Sequence, residues 1–346
     1  MPKRHINIPV FIPHLGCPNC CVFCNQRTIS GVSDFKLESV KDIIEQTLST
    51  VNEDDECEIA FFGGSFTGID RELMLSLLEI SKNYRLSGRV HSIRCSTRPD
   101  YIDDEILDIL ESYGVRTIEL GLQSCSDKIL GICKRGHSFE DEAVACRLIT
   151  SRGFSLVGQM MIGLPGATLD DEIATADFII ESGASGARIY PTVVFRDTEL
   201  CEMAGRGLYS PLSVDEAALR SAAVLKRFYD AGVEVIRIGL CASDNLSSDD
   251  TYFAGPNHSA LGELVENELF YINIRDKLLA CDIKTGDSAV IKVPKGAMSK
   301  AVGHKKKNRL RLLSENPAVL LKFAESDTIK GYDVEIQKEE RTYKCI

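Results

Sequence analysis

The sequence predicts an α/β protein: a partial (β/α)6-type TIM barrel followed by a small α+β C-terminal subdomain. Three observations carry that prediction. Short apolar runs alternate with amphipathic helical patterns over the first 240 or so residues, which implies parallel strands joined by right-handed crossovers. Nearly every apolar run opens into a polar or glycine-rich loop. After about residue 243 the pattern gives way to a polar linker, D-N-L-S-S-D-D, and a short mixed segment. Two domains follow, 1–243 and 244–346.

Taken in order, the strands fall at 6–13, 58–63, 90–96, 116–121, 155–163, 187–194 and 233–240. Between them, helical periodicity marks 37–51, 71–84, 103–113, 139–152, 169–182 and 214–231. The loops after the strands read C-P-N-C-C-V-F-C, G-G-S-F-T-G, S-T-R-P-D-Y, L-Q-S, G-L-P-G-A-T and Y-P-T-V-V-F-R-D-T. In barrel folds the C-terminal strand ends converge on one face, where catalysis is built. Any one of these loops is ordinary turn chemistry. Six together point to one large active site. Beyond the linker, G-P-N-H-S-A-L-G-E-L-V-E opens an amphipathic helix, and short strands and helices complete the chain.

Composition narrows the class. A net charge of −11 argues against coating nucleic acid by bulk electrostatics, though it leaves room for a local basic patch. The 13 cysteines are an odd number, scattered singly outside one cluster, which is no disulfide framework and suggests a reducing cytosol. Most lone cysteines read as small buried hydrophobes. The N-terminus M-P-K-R-H-I-N-I-P-V-F-I-P-H is interrupted by Pro9 and Pro13 and has no small-residue cleavage site, so no signal peptide is expected. No run approaches the roughly 18 apolar residues of a membrane helix. A cytoplasmic protein with no membrane partner is expected.

Residues 17–24 place Cys17, Cys20, Cys21 and Cys24 on one loop. Structural zinc sites separate their cysteine pairs by a dozen or more residues, and here the pairs abut. Dithiol chemistry normally opens a helix in a thioredoxin-like setting that is absent here. An iron–sulfur cluster fits closely spaced thiolates better. Cys17-x3-Cys21-x2-Cys24, with Phe23 before the last cysteine and after the first strand, resembles the radical S-adenosylmethionine superfamily. The resemblance implies a 4Fe–4S cluster on Cys17, Cys21 and Cys24, with the fourth iron left for the amino and carboxylate groups of S-adenosylmethionine. It also implies an external electron donor and cleavage to a 5′-deoxyadenosyl radical. Cys20 is then a bystander. Gly63, Gly64 and Ser65, one βα unit later, resemble the superfamily's glycine-pair loop, which holds the methionine end through its backbone.

The loops S-T-R-P-D-Y (96–101), I-E-L-G-L-Q-S (118–124), K-R-G-H (134–137), G-Q-M-M-I-G-L-P-G (158–166) and R-I-Y-P-T-V-V-F-R-D-T-E-L (188–200) occur in this order. Together they are similar to the radical domain of the catalytic subunit of Elongator, which modifies tRNA wobble uridines at C5. The similarity spans about residues 5–240. It includes none of that subunit's acetyltransferase domain, and the cysteine spacing is the short x3 form. On this resemblance Arg98 and Glu119 bind the methionine carboxylate or the ribose; the competing reading is a buried ion pair between them. Gln123 contacts the cofactor or caps a loop. Met160, with Met161 and the 163–165 turn, flanks adenine or simply packs. Arg188 and Tyr190 face the substrate. His137 reads as a hydrogen-bonding group rather than a metal ligand.

The stretch containing Lys305, Lys306, Lys307, Arg309 and Arg311 is the strongest local sign of an anionic partner, tRNA on this reading, with a solvated charged turn as the alternative. Arg4, Arg27, Lys134 and Arg135 are candidates to extend such a patch. Two other functions compete: a radical enzyme acting on a small molecule such as a porphyrinogen, and a non-catalytic iron–sulfur carrier.

Overall fold

The computed structural model describes residues 4–12, 15–17, 21–25, 35–52, 54–240, 250–281, 283, 287–316 and 319–339. Seven parallel strands form one sheet in the order β1 (His5–Phe11), β2 (Glu56–Phe62), β3 (Ser92–Thr97), β4 (Val115–Gln123), β5 (Ser155–Ile162), β6 (Gly186–Pro191) and β8 (Glu234–Ile238). Spatial order follows chain order, so each crossover steps to the next strand in the same direction. Repeated right-handed steps of that kind curl a twisted sheet into part of a barrel. The expected strands and the half-barrel class are those found.

The crossover helices are α1 (Ser39–Leu48), α2 (Arg71–Leu86), α3 (Asp104–Tyr113), α4 (Asp127–Ile132), α5 (Phe139–Ser151), α6 (Leu169–Glu181), α7 (Glu199–Gly205) and α8 (Val214–Asp230). Their starts are chemically marked. Asp70 and Asp103 accept from the backbone of Leu73 and Ile106. Ser138 with Asp141, and Thr168 with Asp171, build complete capping boxes. Two short helices, α4 and α7, and the small antiparallel pair of β7 (Val194–Phe195) with β9 (Tyr252–Ala254) were not expected.

Alternation along each strand separates an apolar, helix-facing side from a polar, concave side. Ile59, Phe61, Ile93, Cys95, Ile118 and Leu120 are fully buried. Gly158 marks which side carries the helices: a Cβ there would lie 2.7 Å from Ile179 of α6. On the opposite parity, Glu58, Arg94, Glu119, Gln159 and Arg188 bond to one another.

The chain divides into two compact units, Met1–Ser213 with Arg227–Asn257, and Val214–Lys226 with His258–Ile346. The division falls after the expected boundary at 243/244 and takes the first part of α8 into the second unit; residues 241–249 lie outside the described residues. The second unit contains α9 (Leu261–Ala280), β10 (Ser288–Pro294), α10 (Met298–Val302), α11 (Lys307–Glu315), β11 (Leu320–Ser326) and β12 (Glu335–Glu339). Its sheet runs β11-β10-β12, with β10 parallel to β11 and antiparallel to β12. Phe270, Ile274, Ile291, Val293, Leu312 and Leu321 belong to its own core. Among the described residues no helix is long and apolar enough to cross a membrane.

Candidate active site

Cys17, Cys21 and Cys24 follow β1 at the carboxyl end of the sheet. Cys21 is buried, and Cys17 and Cys24 are half-buried. What fixes this loop is the apolar pair between the thiols. Val22 is buried in a cluster with Ile129, Cys133, Leu164 and Leu200, and Phe23 packs against it. The Val22 N–H donates to the Cys133 carbonyl at 3.2 Å, and the Val22 carbonyl accepts from Leu200 N–H at 2.8 Å. A turn from Cys24 N–H to the Cys21 carbonyl, 2.9 Å, sets the spacing of the last two cysteines. Cys20 and Arg27 lie outside the described residues.

The glycine-pair loop presses directly on the cysteine loop. A Cβ on Gly16 would sit 2.0 Å from the Ser65 carbonyl oxygen, so only glycine permits this approach. Gly63 and Gly64 hold φ of 97° and 134°, conformations that L side chains rarely adopt. Ser65 turns its hydroxyl inward. It bonds Thr97 Oγ1 at 2.8 Å and accepts from the Arg98 N–H at 3.2 Å, which leaves the loop's backbone, not this side chain, toward the cysteines.

Two arginines close the far side. Arg135, at the start of R-G-H, donates from Nη1 to Cys21 Sγ at 3.3 Å and from Nη2 to the Gly121 carbonyl. Arg98 donates to both Asp100 oxygens at 2.9 Å and to the Arg135 carbonyl. Burial pushes the Cys17 thiol up, while Arg98 and Arg135 pull it back. His137 does act as a hydrogen-bonding group: its Nδ1 lies 3.4 Å from Arg98 Nη2 and its Nε2 3.0 Å from Glu142. Burial holds His137 down at about 4 and raises Glu142 to about 9, so both are neutral near pH 7.

The concave face carries an ion network. Arg188 grips Glu119 with two bonds of 2.8 and 2.9 Å. Arg94 bridges Glu119, at 2.9 Å, to Glu58. Gln159 adds 2.8 Å to the same Glu119 oxygen that Arg188 Nε holds. Burial alone would raise the Glu119 carboxyl, but Arg188 and Arg94 hold it below its ordinary value. Two carboxylates and two guanidiniums balance, as buried charge requires. Tyr190, half-buried, interacts electrostatically with Arg188, whose guanidinium lies 5.5 Å from the Phe62 ring centroid.

Several expected placements change. Arg98 and Glu119 do not pair with each other; Arg98 takes Asp100, two residues on, and Glu119 takes Arg94 and Arg188. Arg188 is buried with its Nε and Nη2 on Glu119, so Tyr190 rather than Arg188 is the more open of that pair. Met160 is fully buried and shares the helix-facing parity of Gly158, opposite Gln159. Met161 lies instead against the Val22 cluster. Gln123 holds φ of 72° and its amide folds over Gly121, where a Cβ would meet it at 2.9 Å. The 163–165 turn is pinned by Gly163 N–H to Glu172, 2.6 Å, and Tyr209 OH to the Gly163 carbonyl, 2.7 Å.

Arg4 pairs with Asp55 and Lys134 with Glu199, both on the surface. In the second unit, Lys307 meets Asp215 at 2.8 Å, and Arg311 holds Glu268 and stacks 3.6 Å from the Tyr271 centroid. Lys305, Lys306 and Arg309 are exposed. Arg135, Arg94, Glu58 and Gln159 were not foreseen as site residues. The one usable signal was a charged residue inside an otherwise apolar strand, as in E-I-A-F-F and S-I-R-C-S.

Three thiols on one loop, beside two guanidiniums and a glycine loop pressed to backbone contact, suit an iron–sulfur cluster. Among the described residues no three His, Cys, Asp or Glu side chains converge on a single ion. A cubane instead takes one thiolate at each corner it shares with the protein.

Comparison with known proteins bears this out. Residues 11–179 match the radical SAM superfamily, and 184–271 the radical SAM C-terminal domain. A tRNA uridine(34) acetyltransferase of Methanocaldococcus infernus is 29% identical over 262 residues, covering 69% of this chain and 47% of that protein. An uncharacterized protein of Methanocaldococcus jannaschii, MJ0486, is 31% identical over 230 residues, covering 62% of this chain and 69% of the relative. The solved structure of archaeal Methanocaldococcus infernus Elp3 with an N-terminal deletion superposes with a TM-score of 0.62 at 24% identity, over 81% of this chain and 64% of that one. The chain thus spans about half the length of the acetyltransferase it matches. Proteins of the matched superfamily bind a 4Fe–4S cluster and S-adenosylmethionine. Loop chemistry, sheet and sequence agree: this chain belongs to the radical S-adenosylmethionine superfamily of enzymes.

Proposed function

We propose that this enzyme holds its cluster on Cys17, Cys21 and Cys24 and modifies the wobble uridine of tRNA. The observation that carries the reading is the interlock of the Elongator-like loops around the thiols. Arg135 of K-R-G-H bonds Cys21, and Arg98 of S-T-R-P-D-Y bonds the Arg135 carbonyl. The motifs that narrow the resemblance are therefore the ones that build the site. The relative named for uridine(34) supports the same substrate.

The bound cluster and S-adenosylmethionine would supply the radical. The chain's own groups do the rest. Arg135 stabilises negative charge at Cys21 by a charge-assisted bond. Gly63 and Gly64 bring backbone, without side chains, to the methionine end. The Glu58–Arg94–Glu119–Arg188 network fixes Arg188, and Tyr190, two residues on along the same strand, is the group on this reading that meets the substrate. Lys305, Lys306 and Arg309 provide phosphate contacts.

Nucleoside mass spectrometry of tRNA from a deletion strain tests the reading. A missing C5 modification on uridine 34, restored by the wild-type gene and not by the Cys21→Ser variant, is expected. An unchanged wobble-uridine profile would contradict it.

A further inference from the structure

We infer that the C-terminal unit is an RNA-binding module of the K-homology kind, whose G-H-K-K loop at 303–306 clamps the backbone of single-stranded RNA; this rests on the reading that the substrate is an RNA. The topology comes first. β10, α10, the loop, α11 and β11 form a strand–helix–helix–strand unit in which β10 and β11 are parallel neighbours and β11 is an edge of the sheet. K-homology modules clamp about four nucleotides of backbone on a G-x-x-G loop between two such helices.

The loop departs from that motif at its fourth position and keeps the conformation. Where glycine is usual, Lys306 holds φ of 64°, and Lys305 before it holds 50°. Both lie in the left-handed region that glycine occupies without strain. At the first position, a Cβ on Gly303 would lie 2.8 Å from Asn308 Cγ. Asn308 is buried and donates to the carbonyls of Asn267 at 2.7 Å and Ala301 at 3.3 Å, which ties α11 to α9 and α10. The loop is therefore held from behind by a buried amide.

Charge and apolar surface are sorted to match. Lys307 and Arg311 are neutralised by Asp215 and Glu268. Lys305, Lys306 and Arg309 are exposed and make no ion pair among the described residues, in a chain of net charge −11. On the two elements that follow the loop, Leu310 of α11 and Leu320 of β11 are 61% and 48% exposed, apolar surface against which unstacked bases pack.

The test uses the full-length chain and a labelled, unstructured oligoribonucleotide, read by fluorescence anisotropy over a range of salt. Lys305→Asp reverses one charge with a residue that tolerates the left-handed conformation. It should weaken binding about tenfold or more and flatten the salt dependence. Lys306→Gly, which restores G-x-x-G, should bind within about threefold of wild type despite its lost charge. Lys295→Asp, on the same unit, should bind like wild type. If Lys305→Asp shifts the thermal midpoint, Lys305→Asn serves in its place with the same expected direction. Equal effects of Lys305→Asp and Lys295→Asp, or equal binding of a duplex of the same sequence, would overturn the inference. The two readings fail separately. A changed uridine profile in the deletion strain with full RNA binding by Lys305→Asp removes the clamp alone. An unchanged profile with lost binding removes only the wobble-uridine reading.

Discussion

Arg135 and Cys21, 114 positions apart in sequence, are joined by a guanidinium–sulfur hydrogen bond of 3.3 Å. The same guanidinium holds the Gly121 carbonyl at the end of β4, so one side chain couples the cysteine loop to the middle of the sheet. Hydrogen bonds to ligand sulfurs tune cluster potentials. Arg135→Gln removes positive charge where the reduced cluster gathers negative charge. The reduction potential of the reconstituted protein should fall, on the order of 60 mV for about 1.4 kcal/mol of lost interaction in a one-electron couple. Spectroelectrochemical titration measures this, and an unchanged potential would show that the bond does not reach the cluster.

The thiols divide by role. Single Cys17→Ser, Cys21→Ser and Cys24→Ser variants should lose the cluster's iron, sulfide and visible absorbance, whereas Cys20→Ser should keep them. Iron and sulfide analysis after anaerobic reconstitution checks the set. Loss of iron in Cys20→Ser would shift the ligand register and remove the reading of Cys20 as a bystander.

Glu119 is the hub of the concave-face network, with Arg94 and Arg188 both depending on it. Glu119→Gln leaves Arg94 with Glu58 alone and takes from Arg188 the carboxylate it pairs with. Breaking a buried pair from one side destabilises by about 3–5 kcal/mol. Urea denaturation should show a loss of that order. A loss below about 1 kcal/mol would mean that water relieves the stranded charges.

Glu142 and His137 give the fold a pH signature. Burial raises the folded Glu142 carboxyl from 4.5 to about 9, so between those values the folded state binds a proton that the unfolded state has lost. Stability from this group is fully present below 4.5 and falls as pH rises toward 9. His137 runs the other way, since its folded value lies at about 4 against 6.5 unfolded: its contribution is lost as pH falls through that window. Glu142→Gln keeps an acceptor for His137 Nε2–H and cannot ionise. Its thermal midpoint should change less than wild type's between pH 7 and pH 9. Parallel curves for the two proteins would place the Glu142 ionisation outside that range.

Much of this architecture was legible because it is periodic. The seven sheet strands and six of the crossover helices repeat over windows long enough to carry a signal, and the polar strand ends mark the active face. The missed elements lack such windows: α4 and α7 span under two turns, and β7 pairs with β9 across more than fifty residues. Site chemistry failed where it depended on register or parity. Arg94 reaches Glu119 because β3 and β4 pair Ser96 with Glu119 and bring Arg94 two residues below, which no local pattern announces. Met160 and Gln159 are neighbours in sequence, yet strand alternation sends only Gln159 to the concave face. Among the basic residues, composition could not tell Lys307 and Arg311, bound to acidic partners, from exposed Lys305 and Lys306.

Reductive cleavage of S-adenosylmethionine by the reconstituted, anaerobically reduced protein tests the central claim most directly. The account predicts 5′-deoxyadenosine formed by wild type and by Cys20→Ser, and none by Cys21→Ser. No 5′-deoxyadenosine from wild type with its cluster intact and reduced would contradict it.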